Sequence, residues 1–178
     1  PLAGCPIAGR DGAATEDLLG FFVNSLVIDA DFSGKPSFVE ALARVQRSVT
    51  EAMAHQDIPF EQVVERAQPD RLLARNPVFE VMFAWQAPFR LPDRSPVLRV
   101  ATLTTTETTA RFDLECHTWR DGDQILGGLI YDADRFDADR IALLADHFTA
   151  LLESAVAAPS TPAMRLGLGD VSYTAPLS

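Results

Sequence analysis

Two apolar runs, Phe21–Ala30 and Val78–Trp85, constrain what this chain can fold into more than any other feature. Successive side chains of a strand point to opposite faces. In the first run one face reads Phe21, Val23, Ser25, Val27 and the other Phe22, Asn24, Leu26, Ile28. Both faces are largely apolar, and so are those of the second run. Such strands need cover on both sides, which predicts a sheet with other layers packed on it.

The covering layers are legible as helices. Ser37 and Glu40 have capping-box spacing. Phe38, Leu42, Val45, Val49 and Met53 then recur at steps of three and four, one stripe of a helix running to about Ala54. Pro59 suits the first turn of a second helix, Phe60–Ala67. Asp137 is a good N-cap for a third, with Ile141, Leu144, Phe148, Leu151 and Leu152 on one face.

Further strands follow from alternation. Arg111–Trp119 reads as Phe112, Leu114, Cys116 inward and Asp113, Glu115, His117 outward. The Asp121-Gly122 turn returns the chain as Gln124–Tyr131. The first 15 residues, rich in Gly, Ala and Pro, read as irregular. Pro69 and Pro77 bracket an arginine-bearing loop. Pro88, Pro92 and Pro96 punctuate an extended crossing segment, and Val97–Thr109 also reads as extended. From Pro159 the composition shifts to Pro, Ser and Thr. The expectation is an α/β body (α+β, two layers) with a mixed β-sheet covered by helices over residues 1–158. Residues 159–178 read as a tail or linker toward a next domain.

Composition removes several function classes. The 178 residues are 47% hydrophobic, enough for a core, and 15 basic against 25 acidic residues give a formal charge of −10. A duplex nucleic-acid binder should be basic. No run of 18 apolar residues offers a membrane span, and no secretory signal is visible. Cys5 and Cys116 alone support neither a disulfide scaffold nor a zinc site, so a reducing cytoplasm is the default compartment. There is no GxGxxG, no GxxxxGK[ST] and no GxSxG. His55, His117 and His147 lack metal-ligand spacing. His117 reads as an exposed strand residue and His147 as boundary packing. Composition and periodicity alone leave an α/β domain with no evident catalytic residue, metal site or bound cofactor.

Four segments change that picture when taken in order. Gly20-Phe21-Phe22-Val23-Asn24-Ser25 resembles the GxFVNT motif of nonribosomal peptide synthetase condensation domains. His55-Gln56-Asp57-Ile58-Pro59-Phe60-Glu61 resembles their HQDxPFE motif. Arg71-Leu72-Leu73-Ala74-Arg75-Asn76-Pro77 resembles RDxSRNP, and Gly4-Cys5-Pro6-Ile7-Ala8-Gly9-Arg10 resembles GxPxAGR. Phe112-Asp113-Leu114 and Phe136-Asp137-Ala138 also sit where the family has similar strings. The likeness covers about residues 4–158. Ser25 stands for Thr, Leu72 for Asp and Ala74 for Ser. The family's HHxxxDG string, which carries its catalytic histidine, does not occur.

The resemblance implies a chloramphenicol-acetyltransferase-like lobe, the C-terminal half of a V-shaped pair, with the catalytic histidine on the N-terminal lobe. A start at Pro1 with a motif under way reads as a fragment. The partners implied are that N-terminal lobe and the donor and acceptor carrier proteins. The carriers bring thioesters on phosphopantetheine arms, and an amide forms as the acceptor amine attacks the donor thioester. The setting implied is antibiotic or other secondary-metabolite biosynthesis. Arg10 matches the arginine that pairs with the Asp of HHxxxDG, and the stretch from about Ala87 to Val100 matches the latch that crosses between lobes. Asn24 would point toward the channel between the lobes, and Asn76 would lie near the cleft.

The bland readings stand beside these. Asn24 is a structural amide bonded to neighbouring backbone. Arg10, without its partner, is exposed or re-paired. His55 caps a helix end, while Asp57 and Glu61 flank Pro59 and charge the next helix start. Arg75 and Asn76 brace a loop. Arg66, Arg71 and Arg75 form a basic cluster that suits an acidic carrier protein or is a solvated loop. An exposed lobe face predicts self-association. The rival functions are an epimerization or heterocyclization relative, which the GFFVN and HQDIPFE strings argue against, and a non-catalytic condensation-like lobe that recruits a partner protein.

Overall fold

The computed structural model describes residues 1–10, 15, 17–67, 78–86 and 109–167. Five strands form one mixed sheet: β1 (Leu2–Ile7), β2 (Asn24–Asp29), β3 (Val81–Gln86), β4 (Leu114–Asp121) and β5 (Gln124–Tyr131), in the order β2-β1-β3-β4-β5. The pairs β1–β2 and β4–β5 are antiparallel, and β1–β3 and β3–β4 are parallel. Among the described residues three α-helices accompany the sheet: α1 (Phe38–Met53), α2 (Phe60–Ala67) and α3 (Ala138–Ala157). The mixed sheet with helices is the α/β architecture expected.

The helix starts lie where local chemistry puts them. Ser37 Oγ accepts from the Glu40 amide, and the Glu40 carboxylate accepts from the Ser37 amide at 2.8 Å. This is a complete capping box. α2 spans the expected residues. Asp137 is the N-cap of α3, but its side chain makes no cap bond. Its carbonyl accepts from the Arg140 and Ile141 amides instead. The hairpin closes as expected, with Asp121 paired to Gln124 across a two-residue loop.

Three expectations fail for physical reasons. The irregular N-terminus is β1, an inner strand of the sheet. Gly4 lets it approach Phe79 so closely that a Cβ there would stand 2.1 Å from the ring. The glycine that lowers strand propensity is what the close approach requires.

Neither long apolar run is buried on both faces. In β2 only Leu26 and Ile28 are buried, whereas Phe21 is 89% exposed and lies before the strand. β2 is the edge strand, beyond β1, and its burial is confined to the face that carries Leu26 and Ile28. In β3, Met82 and Ala84 are buried, while Val81, Phe83 and Trp85 are exposed.

The phase of β4 also differs. Directly paired residues share a face, and the ladders pair Gly4 with Met82 and Met82 with Glu115. Glu115 and His117 therefore lie on the face of the buried Met82 and Ala84, not outward. Glu115 is only 1% exposed. The other β4 face, with Cys116 and Thr118, borders an apolar groove of about 450 Å³ between β5 and α3. Burial pushes both the Cys5 and the Cys116 thiol up from their ordinary pKa.

Residues after α3 return to the start of α1. The Val39 and Phe38 amides donate to the carbonyls of Pro159 and Thr161, the Ala163 amide donates to Pro36, and Leu166 is buried. Residues 159–166 thus tie the two long helices together. No helix among the described residues is long and apolar enough to cross a membrane.

Candidate functional site

The fold draws three of the four motif segments, Gly4–Arg10, Gly20–Ser25 and His55–Glu61, to one cavity. It has a volume of about 470 Å³ and is lined from the ends of β1 and β2, the first turn of α2, β3 and the start of β4. Phe60 and Phe112, which line it, both pack on the buried Phe79, with ring centroids 5.3 Å away in a tilted pair and 5.1 Å away in a stacked one.

Asn24 joins the segments. Its Nδ2 donates to the carbonyls of Gln56 and Ile58, each at 2.9 Å. Its Oδ1 accepts from the Ser25 amide at 2.9 Å and the Phe60 amide at 3.0 Å. Every hydrogen-bonding direction of the carboxamide is used on backbone. Asn24 lines the cavity, but its side chain holds the His55–Glu61 segment against β2.

Within that segment, His55 lies just past the C-cap of α1, exposed, and its carbonyl accepts from the Ile58 amide. The imidazole makes no hydrogen bond among the described residues. Asp57 is exposed. The Pro59 carbonyl accepts from Gln62, so Pro59 opens α2. Glu61 lies in the first turn of α2 and on the cavity rim. A negative charge there favours the helix dipole.

Arg10 stacks over Phe22 at 4.4 Å from the ring centroid, and its Nη1 donates to the Thr15 carbonyl. Gly9 makes this possible. Its φ is +62°, and a Cβ there would stand 2.0 Å from the Phe22 carbonyl oxygen. Phe112-Asp113-Leu114 meets the third helix's approach through an Asp113–Arg135 ion pair. Asn76 and Arg75, the rest of the RDxSRNP-like string and the stretch from Ala87 to Val100 lie outside the described residues. Arg66 ends α2, exposed.

A polar chain on the cavity wall is not evident from the sequence. The Glu115 carboxylate accepts from the Arg111 amide at 2.9 Å, from Arg111 Nη2 at 2.8 Å and pairs with His117 Nε2 at 3.1 Å. His117 Nδ1 lies 3.1 Å from Gln86 Nε2. Burial alone would raise the Glu115 pKa, but the Arg111 and His117 hydrogen bonds outweigh it, and the net shift is downward. Glu115 is an ionised buried carboxylate. His117, expected on an exposed face, has a side chain only 16% exposed. The available signal was the spacing: an acid and a histidine two apart on a strand share a face. Among the described residues no cluster has the makings of a metal site. His147 Nε2 is buried and without a partner among them.

A helix-covered mixed sheet that lays its motif segments around one cleft defines an α/β fold with a mostly apolar cavity beside its motifs. The Condensation domain family model matches residues 2–173, and the chain belongs to that family. It is similar to malpibaldin synthetase from Mortierella alpina, 40% identical over 165 residues, which covers 90% of this chain and 3% of that protein. Phosphinothricin tripeptide synthetase PhsB from Streptomyces viridochromogenes is 36% identical over 173 residues, 95% of this chain and 14% of that synthetase. Among solved structures, the X-domain in complex with OxyB from teicoplanin biosynthesis matches with a TM-score of 0.81 and 31% identity, covering 94% of this chain and 38% of that one. The chain thus spans a small fraction of the synthetases it matches and well under half of the solved chain.

Proposed function

We propose that this chain is the C-terminal lobe of a condensation domain that joins carrier-protein-bound aminoacyl or peptidyl thioesters through an amide bond. It supplies one wall of the substrate channel and part of the docking surface for donor and acceptor carrier proteins. The observation that carries this reading is the Asn24 clamp, which sets the GFFVNS and HQDIPFE segments side by side on a cavity wide enough for an acyl group. The synthetase relatives support it. No residue of this chain is assigned as the catalytic base, since HHxxxDG is absent from its 178 residues. The lobe itself binds no cofactor, and phosphopantetheine arrives on the carrier proteins. Without its partner lobe it is inactive, and its exposed apolar residues favour self-association. The work takes place in the cytoplasm.

The test is reconstitution. The chain is mixed with an N-terminal lobe carrying HHxxxDG, and amide formation is assayed between loaded carrier proteins. Activity with both lobes together and with neither alone supports the reading. A stable two-lobe complex that stays inactive with matched substrates overturns it.

A second reading has one specific support, the likeness to an X-domain solved with OxyB. On that reading the lobe recruits a partner protein and performs no chemistry. An intact HHxxxDG upstream decides for catalysis, and a degenerate one for recruitment.

A further inference from the structure

The Arg111–Glu115–His117–Gln86 chain has no part in the Asn24 clamp. A buried carboxylate costs stability unless it is paired, and an apolar replacement of such a pair is often as stable. A satisfied network of this kind at the wall of a cavity is a candidate for recognition. Its effect on His117 is definite. The Glu115 carboxylate can only accept, so it holds the proton on Nε2 and leaves the Nδ1 lone pair toward Gln86. Gln86 Nε2 donates to Nδ1, and Gln86 Oε1 has no partner among the described residues.

The cavity around this pair is mostly apolar, with Ile7, Val23, Phe60, Met82, Trp85 and Phe112 on its walls. Its volume falls within the roughly 300–1,000 Å³ of small-molecule sites, which pair apolar walls with a few placed polar groups.

We propose that Gln86 and His117 are specificity-determining residues that select an acyl side chain with an apolar or aromatic stem and a hydrogen-bond donor at its tip. A phenol fits this description. Its hydroxyl donates to Gln86 Oε1, while His117 Nδ1 holds the carboxamide in place by accepting from Nε2 and the ring packs on Phe60 and Phe112. Glu115 and Arg111 are positioning residues that fix the imidazole tautomer. The inference rests on the condensation reading, because that reading supplies the aminoacyl substrate.

The test is calorimetric titration of the complete condensation domain containing this chain with three probes: pantetheine, the pantetheine amide of phenylalanine and that of tyrosine. The tyrosyl probe should bind about 3- to 10-fold tighter than the phenylalanyl one, the worth of one net hydrogen bond. His117→Phe should abolish that ratio and leave the phenylalanyl affinity in place. His117→Gln keeps an acceptor and should restore part of it. Gln86→Leu, which leaves the Glu115–His117 pair intact, should also shrink the ratio, so the test survives if His117→Phe does not fold. Equal binding of the two aminoacyl probes, or a ratio that all three variants leave unchanged, overturns the pocket while pantetheine binding preserves the condensation reading. Failure of all three probes to bind overturns both.

Discussion

The Asn24 carboxamide donates to the Ile58 carbonyl at 2.9 Å, spanning 34 positions of sequence. With its bonds to Gln56 and Phe60 it fastens the turn between α1 and α2 to the first residue of β2. Asn24→Ala leaves two carbonyls and the Ser25 and Phe60 amides without this partner. These groups are part-buried or exposed, so water takes up some of the bonds and each lost bond costs about 0.5–1.5 kcal/mol. Asn24→Asp should be worse, since it removes both donors and sets a negative charge against two carbonyl oxygens. The expected result is a lower denaturation midpoint for both variants, with Asp below Ala. Amide exchange at Phe60 should accelerate in both. An unchanged Phe60 exchange rate would refute the clamp.

Acid stability should report on Glu115. Its pKa in the folded chain lies below the ordinary 4.5 because the bonds from Arg111 and His117 outweigh burial. A depressed folded pKa means that the unfolded chain binds the proton more readily. The stabilisation is therefore fully present above pH 4.5 and is lost as pH falls through the folded value. Glu115→Gln should be less stable than the parent at pH 7, and the gap should narrow below pH 4.5. Urea midpoints at pH 7, 5 and 3.5 measure this, and a gap that widens toward acid pH contradicts it.

Local signals carried the helices and the hairpin into view, and long-range ones did not. The Ser37–Glu40 box, Pro59 and the Asp121-Gly122 turn act within four residues, so their partners are already adjacent in sequence. β1 is not legible because Gly4 and Pro6 have poor strand propensity, and only the approach of Phe79 explains the glycine. For β4, alternation gives two faces without saying what lies over each. Glu115 is buried since Arg111 folds back onto it and His117 pairs with it, and no propensity encodes that. The stripe of α1 was located, but its cover was not: Ala41 is buried while Leu42 is 55% exposed. The Asn24 position was singled out from its strand face, yet its bonding partners depended on where residues 56–60 come to rest.

The capping box predicts a modest and specific loss. Ser37→Ala removes the acceptor for the Glu40 amide and leaves the Glu40 carboxylate with one bond to backbone in place of a closed pair. The cost should be about 1 kcal/mol, the usual worth of a serine N-cap. Ser37→Thr should recover most of it, because threonine caps too and its hydroxyl can still donate to the Glu40 carboxylate. Thermal melts of the two variants beside the parent decide this, and equal losses for both would show that the cap is not what Ser37 contributes.

Gly9→Ala tests whether the seat of Arg10 is set by backbone geometry. The left-handed φ of +62° costs an L-residue about 1–2 kcal/mol, before any contact is considered. The contact is severe, since the new Cβ would lie 2.0 Å from the Phe22 carbonyl, a backbone atom that cannot swing aside. The chain must shift at residue 9, at Phe22, or at both. Arg10 stacks on the Phe22 ring, so either movement breaks that cation–π contact, worth about 0.5–1 kcal/mol at an accessible site. Phe22→Leu keeps the backbone and removes only the ring. Gly9→Ala should therefore destabilise more than Phe22→Leu, and the double variant should lose less than the sum, because both changes act on the same contact. Strict additivity in a double-mutant cycle of urea midpoints would separate Gly9 from the Arg10–Phe22 stack and refute the coupling.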